Sequence, residues 1–246
     1  AAAVLAGLLW SATRSDAGPA ARGGEAQRIE FRGARYLVFT AELERDSVHL
    51  LWRDAAGNRF GSLGAVREHL AARGRRVRFA MNAGMFDPQY RPVGLHVEDG
   101  RELTELNLRD STGNFYLKPN GVFLIAGKRA RIVASPALAT GTGVDLATQS
   151  GPLLVQRGGL HPRLSPASRN RFVRNGVGVI GPTRVVFAIS EEPVTFHDFA
   201  VFFRDALGCA DALFLDGAIS KAYAPGLGKN EDAGDFAGIL AVTRGE

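Results

Sequence analysis

Four short stretches of the sequence share one design, an apolar run that ends in an amide, hydroxyl, carboxylate or guanidinium close to a glycine. They are FAMNAGMF (Phe79 to Phe86), TQSGPLL (Thr148 to Leu154), RNRFVRNGVG (Arg169 to Gly178) and LFLDGAIS (Leu213 to Ser220). Such runs read as buried strands, and a strand end is where a rigid sheet presents side chains while glycine lets a ligand approach the backbone. Asp216 poses the sharpest question. An Asp-Gly pair commonly closes its own turn, yet a carboxylate directly after ADALFL is costly to bury without a partner, which favours a functional role. Arg174 has a surface ion pair as its plain alternative. Asn82, before Ala83 and Gly84, and Ser150, before Gly151 and Pro152, read as turn-closing groups, as groups that orient a hydroxyl or phosphate oxygen, or as both. Arg169 and Arg171 are evenly balanced between ligand contact and solvated surface.

Other patterns carry less. Gly176-Val177-Gly178-Val179-Ile180-Gly181 fits the dinucleotide-binding spacing, but that mechanism needs a helix directly after the glycines, and TRVVFAIS reads as a strand. No GxSxG elbow is present. The five histidines (His49, His69, His96, His161, His197) lack HxH or HExxH spacing, and Cys209 is alone, so neither a structural zinc site nor an intrachain disulfide is expected. Cys209 reads as a buried, inert thiol. Oxygen-ligated calcium or magnesium needs no tight spacing, so the sequence leaves a divalent cofactor undecided. Glu191 and Glu192 precede a helix start whose dipole accounts for them, with acid or base work as the lesser reading. His161 and Asp87 are weaker candidates of that kind, and His197 reads as structural.

Taken in order, the four stretches resemble the phosphodiester glycosidase family, in its bacterial branch. The family pattern N-x-G-x-F falls on Asn82, Gly84 and Phe86, and S-G-P-x-L on Ser150, Gly151, Pro152 and Leu154. R-x-x-x-G falls on Arg174 and Gly178, and the L-D-G-G-x-S-like segment on Asp216, Gly217 and Ser220, with Ala218 replacing the second glycine. The resemblance runs from Phe79 to the C-terminus. It implies a hydrolase that cleaves a sugar from a phosphodiester at the anomeric carbon. Asp216 would then stabilise the oxocarbenium-like centre as nucleophile or base. Arg174 would hold the phosphate through the guanidinium fork, and Asn82, Ser150 and the backbones of Gly84 and Gly151 would orient the substrate. Arg171, Gly217 and Ser220 would complete the substrate contacts. The implied partner is a sugar phosphodiester or an anionic glycan. Two other readings stand beside it: a non-catalytic envelope module binding an anionic glycan in the same pocket, and a metal-dependent phosphodiesterase attacking phosphorus, which would need an acidic cluster.

The elements that must position these groups read mostly as strands, several joined by short turns such as EDGR around Gly100 and IGPT around Pro182. Two segments read as helices. In VTFHDFAVFFRDALG, Thr195 and Asp198 form a capping box, Val194 staples onto Phe199, and Gly208 supplies the stop. In SLGAVREHLAARG, Ser62 caps, Leu63, Val66 and Leu70 make the apolar face, and Gly74 ends the helix. Strict alternation of strand and helix is missing, so the fold class expected is α+β, with a mixed, mainly antiparallel sheet and a few packed helices. The 46% hydrophobic content suffices for one substantial core, and we expect one domain over residues 27–246.

The net charge of +5 is carried largely by arginine, which suits anionic ligands. The dense run RGRRVR (Arg73 to Arg78) leads into an apparent strand and lacks interleaved aromatics, so it reads as a solvated helix exit rather than a nucleic-acid surface. The N-terminal AAAVLAGLLW is too short to span a bilayer, for which roughly 20 apolar residues are needed. It suits the apolar region of a secretory leader, so residues 1–26 are expected to be a leader remnant or disordered segment of a periplasmic or secreted protein. Oligomeric state is not legible.

Overall fold

The structure, a computed structural model, describes residues 23–138, 143–217 and 219–245. The apolar N-terminal run and Ala218 lie outside the described residues. Three antiparallel sheets make up the body of the molecule. The seven-stranded sheet has the order Ala26–Phe31, Ala34–Glu42, Arg184–Ser190, Asn175–Ile180, Asp211–Phe214, Leu153–Gln156, Gly159–Leu160. A five-stranded sheet is ordered Lys229–Asn230, Ala222–Ala224, Val77–Asn82, Ile239–Arg244, Asp46–Leu51. A second five-stranded sheet is ordered Arg101–Thr104, His96–Glu98, Leu146–Ser150, Gly121–Ala126, Arg129–Ala134.

The α+β expectation therefore tips toward β. Sheet dominates and the helices are short, and among the described residues parallel pairing is confined to an isolated bridge between Gly23 and Thr40. The reason is local: the strands follow one another through tight turns such as Asp99-Gly100, both at positive φ, which leave no room for the crossover that parallel strands need.

One face of each sheet turns inward onto a shared core. Phe39 and Phe187 come from the first sheet, Phe79 and Met81 from the second, and Phe123 and Ile125 from the third. The Phe79 ring stacks on Phe39 at 5.1 Å and on Phe187 at 5.7 Å. Burying such large apolar side chains stabilises by roughly 1.5–3 kcal/mol each, and it fixes where each strand must end.

Both helices start as their sequences require. Ser62 Oγ accepts from Ala65 N ahead of Leu63–Ala71, and Leu63, Val66 and Leu70 are buried against the second sheet. Thr195 and Asp198 exchange both bonds of the capping box ahead of Phe196–Val201. That helix then widens over Phe202–Ala206, where Leu207 N reaches Phe202 O at 3.1 Å, before Gly208 at φ +68° ends it. Its phenylalanines cover the outer face of the seven-stranded sheet. Among the described residues no helix is long and apolar enough to cross a membrane.

Candidate active site

Strand ends from all three sheets meet at Leu215 and Asp216, just beyond the strand Asp211–Phe214. Asn82 is the last residue of Val77–Asn82, Ser150 the last of Leu146–Ser150, and Asn175 the first of Asn175–Ile180. Asn175 works in three directions. Its Nδ2 donates to Asn82 O at 2.9 Å, its Oδ1 accepts from Asp216 N at 2.7 Å, and its own main-chain O accepts from Leu215 N at 3.1 Å. Asn82 Nδ2 donates to Asp216 O at 3.2 Å, while its Oδ1 accepts from Lys221 N at 3.1 Å. Ser150 Oγ donates to Leu215 O at 2.6 Å, and Ser220 Oγ donates to Asp216 O at 2.9 Å.

Asn82, Ser150 and Asn175 are buried, each at most 2% exposed, whereas Asp216 is only half-buried. Buried amides and hydroxyls left without partners would cost roughly 1–3 kcal/mol each, so this network selects one backbone path through Asp216. The geometry thus presents a carboxylate from a rigid main chain at the junction of the sheets. It brings Asn82, Ser150, Asp216, Gly217 and Ser220 together, as the sequence spacing alone could only suggest.

The glycines of the motifs serve close packing. A Cβ on Gly217 would stand 2.8 Å from Val173 O and 3.0 Å from the Phe214 ring, and one on Gly84 would stand 2.8 Å from Thr148 Oγ1. At Gly151 a Cβ would meet Asn120 Cβ at 2.6 Å. These contacts let the three sheets approach closely enough for the network to close.

The Arg174 side chain makes none of the hydrogen bonds of this network. Its side chain is 1% exposed, its Nε donates to Val194 O at 2.9 Å, and one terminal nitrogen donates to Asn170 O at 3.0 Å and Asn170 Oδ1 at 2.7 Å. The guanidinium lies 3.6 Å over the Phe196 ring and 5.6 Å from Phe214, the same ring that Gly217 packs against. Among the described residues no acid forms an ion pair with it. Burial lowers its ionisation to about 10, so it remains a cation at neutral pH. The fork expected for phosphate is largely occupied by the chain's own oxygens.

Arg171 is exposed, with Asp198 at 3.6 Å, and Arg169 is exposed. Glu191 and Glu192 pair with Arg28 and Arg35 on the first two strands. Asp87 closes its own turn by accepting from Gln89 N and Arg91 N. His161 is buried, its Nδ1 accepting from Arg163 N at 3.1 Å, and burial lowers its pKa. His197 lies in the first turn of Phe196–Val201. Cys209 is buried beneath Phe203 and Gly178, and burial pushes its thiol up.

Two residues were missed by sequence reasoning. Asn175 lies inside the stretch RNRFVRNGVG beside Arg174, and its only signal is that an amide leads into the apolar run GVGVI. Lys221 stands opposite Asn82 across the strand pair, is half-buried, and makes no ion pair among the described residues.

Comparison with known proteins places the chain in a family. The profile of the phosphodiester glycosidase family matches residues 75–240, which takes in all four motif stretches. The chain is 36% identical over 189 residues to the uncharacterised protein YigE of Escherichia coli, covering 77% of this chain and 74% of that one. Among solved structures, the fold is similar to the catalytic domain of zebrafish N-acetylglucosamine-1-phosphodiester alpha-N-acetylglucosaminidase auto-inhibited by its pro-peptide. The TM-score is 0.57 at 15% identity, over 88% of this chain and 81% of that one. It is also similar to a hypothetical protein from Synechocystis (TM-score 0.53, 14% identity, 89% of this chain but 61% of that one) and to a putative exported protein from Burkholderia pseudomallei (TM-score 0.53, 13% identity, 85% and 74%). At these identities the structural likenesses establish the fold, and the profile match over most of the chain establishes the kinship: the chain belongs to the phosphodiester glycosidase family.

Proposed function

We propose that the protein hydrolyses a phosphodiester-linked sugar, breaking the bond at the anomeric carbon, with Asp216 as the working carboxylate. The observation that carries this reading is the grip of Asn82, Asn175, Ser150 and Ser220 on the main chain around Asp216. A carboxylate that must meet a developing positive centre gains from being held still before the reaction, because no reorganisation is then needed in the transition state. The leaving group is a phosphate monoester whose second ionisation lies near ~6, so its departure needs charge neutralisation more than a proton. Arg174 supplies a fixed buried positive charge behind Phe214, and Lys221 supplies a cation at the Asn82 side of the site. Asp216 acts as nucleophile or as base for water; the separation from a second carboxyl group would decide which.

Hydrolysis of a nucleotide-linked sugar phosphodiester in oxygen-labelled water tests the bond that breaks. The reading expects the label in the sugar hydroxyl. Label in the phosphate would replace it with attack at phosphorus, and saturable binding of sugar phosphodiesters without any turnover would replace it with a glycan-binding module.

The apolar N-terminal run supports a periplasmic or secreted site of action. Cell fractionation with N-terminal sequencing of the mature protein checks this: a processed chain in the extracytoplasmic fraction is expected, and an unprocessed chain in the cytoplasm would refute it.

A further inference from the structure

A cleft of about 660 Å³ opens at the other end of the strand that carries Asn82. It is lined by Arg76, Arg78, Arg244 and Glu25, with Phe39 and Pro225 as apolar wall. Val77 belongs to this cleft and Asn82 to the candidate active site, so the two are about 17 Å apart along one strand. The cleft is within the ~300–1,000 Å³ range of small-ligand sites.

Its charges are unevenly matched. Arg78 is held by the chain, one terminal nitrogen donating to Asp46 Oδ1 at 2.9 Å and the other to Gly24 O, and Arg244 stands 4.0 Å from the same Asp46 oxygen. Asp46 is 2% exposed and its other oxygen already accepts from Glu42 N at 3.0 Å. Two guanidiniums thus share one buried carboxylate. Arg76 is exposed and makes no ion pair among the described residues, which leaves the exposed Glu25 as the remaining acid of the lining. A second hollow of about 420 Å³ shares Arg76 and Val77 and continues past Arg75, Glu68 and Arg67, the last paired with Asp232. The unmatched positive charge therefore centres on Arg76 and Arg244, in a concavity that concentrates its field. Planar guanidinium forks suit phosphate oxygens, and the apolar wall suits the organic body attached to them.

We propose that this cleft is a second anion site, independent of Asp216, that takes a phosphate-bearing ligand through Arg76 and Arg244, with Arg78 adding fixed positive charge to its wall. The ligand is either a small phosphorylated molecule or a phosphate-linked polymer that continues into the second hollow.

Calorimetric titration of the full chain with inorganic pyrophosphate and with long-chain polyphosphate tests this. Saturable binding is expected, weakened at least tenfold in the Arg76→Gln/Arg244→Gln double variant and unchanged in Asp216→Asn. Arg78 is left in place because it partners buried Asp46. A Lys128→Gln/Arg129→Gln variant removes equal charge from an exposed hairpin and should bind as the parent does. Much tighter binding of polyphosphate than of pyrophosphate identifies the extended ligand, and equal binding per site the small one. No saturable binding, full binding by the Arg76/Arg244 variant, equal loss in the hairpin variant, or loss in Asp216→Asn overturns the proposal.

Discussion

At Asp216 the amides of Asn82 and Asn175 and the hydroxyl of Ser150 all act on main-chain groups, which makes the backbone of the Leu215–Asp216 pair the fixed point of the site. Removing Asn175 would strand the Asp216 N–H and the Asn82 carbonyl in a buried setting. Asn175→Ala should therefore lose about 2–3 kcal/mol in urea unfolding and lose activity with it; a neutral outcome would deny it that role. Arg174 has two separable parts, its fork and its charge. Arg174→Lys keeps the charge and gives up the planar fork on Asn170 and Val194, and should destabilise by roughly 1–3 kcal/mol. Arg174→Met removes the charge but keeps the stem over Phe196, so it should lower kcat in a protein that still folds. Of these groups the sequence singled out Asn82, Ser150 and Asp216, each at or just beyond the end of a strand, and Arg174, which stands just before one. It hid the direction of the Arg174 side chain, since one residue of strand register sends Arg174 and Asn175 to opposite faces.

Strand ends and helix caps were legible as elements because their determinants are local. Thr195 and Asp198 make the capping box their spacing announces, and Thr195→Ala should cost about 1 kcal/mol, read as a lower thermal midpoint. The widened turn at Phe202–Ala206 was not legible, because Phe199, Phe202 and Phe203 make an apolar stripe in either helical form. The expected α+β balance leaned too far toward helix for the same reason that short turns dominate here. On the strand Asp46–Leu51, His49 accepts or donates a 2.8 Å bond with Thr243 Oγ1, and burial lowers its pKa to about 4. The unfolded chain, with an ordinary histidine near ~6.5, binds the proton first as pH falls. Stability should thus decline between about pH 6.5 and 4, by a few kcal/mol at most. Urea unfolding at stepped pH checks this: His49→Gln should flatten that part of the curve, and an unchanged slope would assign the decline elsewhere.

For the whole molecule, the meeting of three sheets at one point depends on contacts between residues far apart in the chain, such as Ser150 with Leu215 and Asn82 with Asn175. No periodicity or turn signal encodes such pairings; they follow from how the inward faces share the core around Phe39, Phe79, Phe123 and Phe187. The four motifs could therefore be read as a set, while the reason they form a set could not. On the proposed reading, that convergence makes Asp216 the group on which turnover would depend. The most direct measurement is kcat of Asp216→Asn on a sugar phosphodiester that the parent hydrolyses. A fall of ~10³-fold or more, with an unchanged thermal midpoint, is expected. Near-parental turnover by Asp216→Asn would contradict the account.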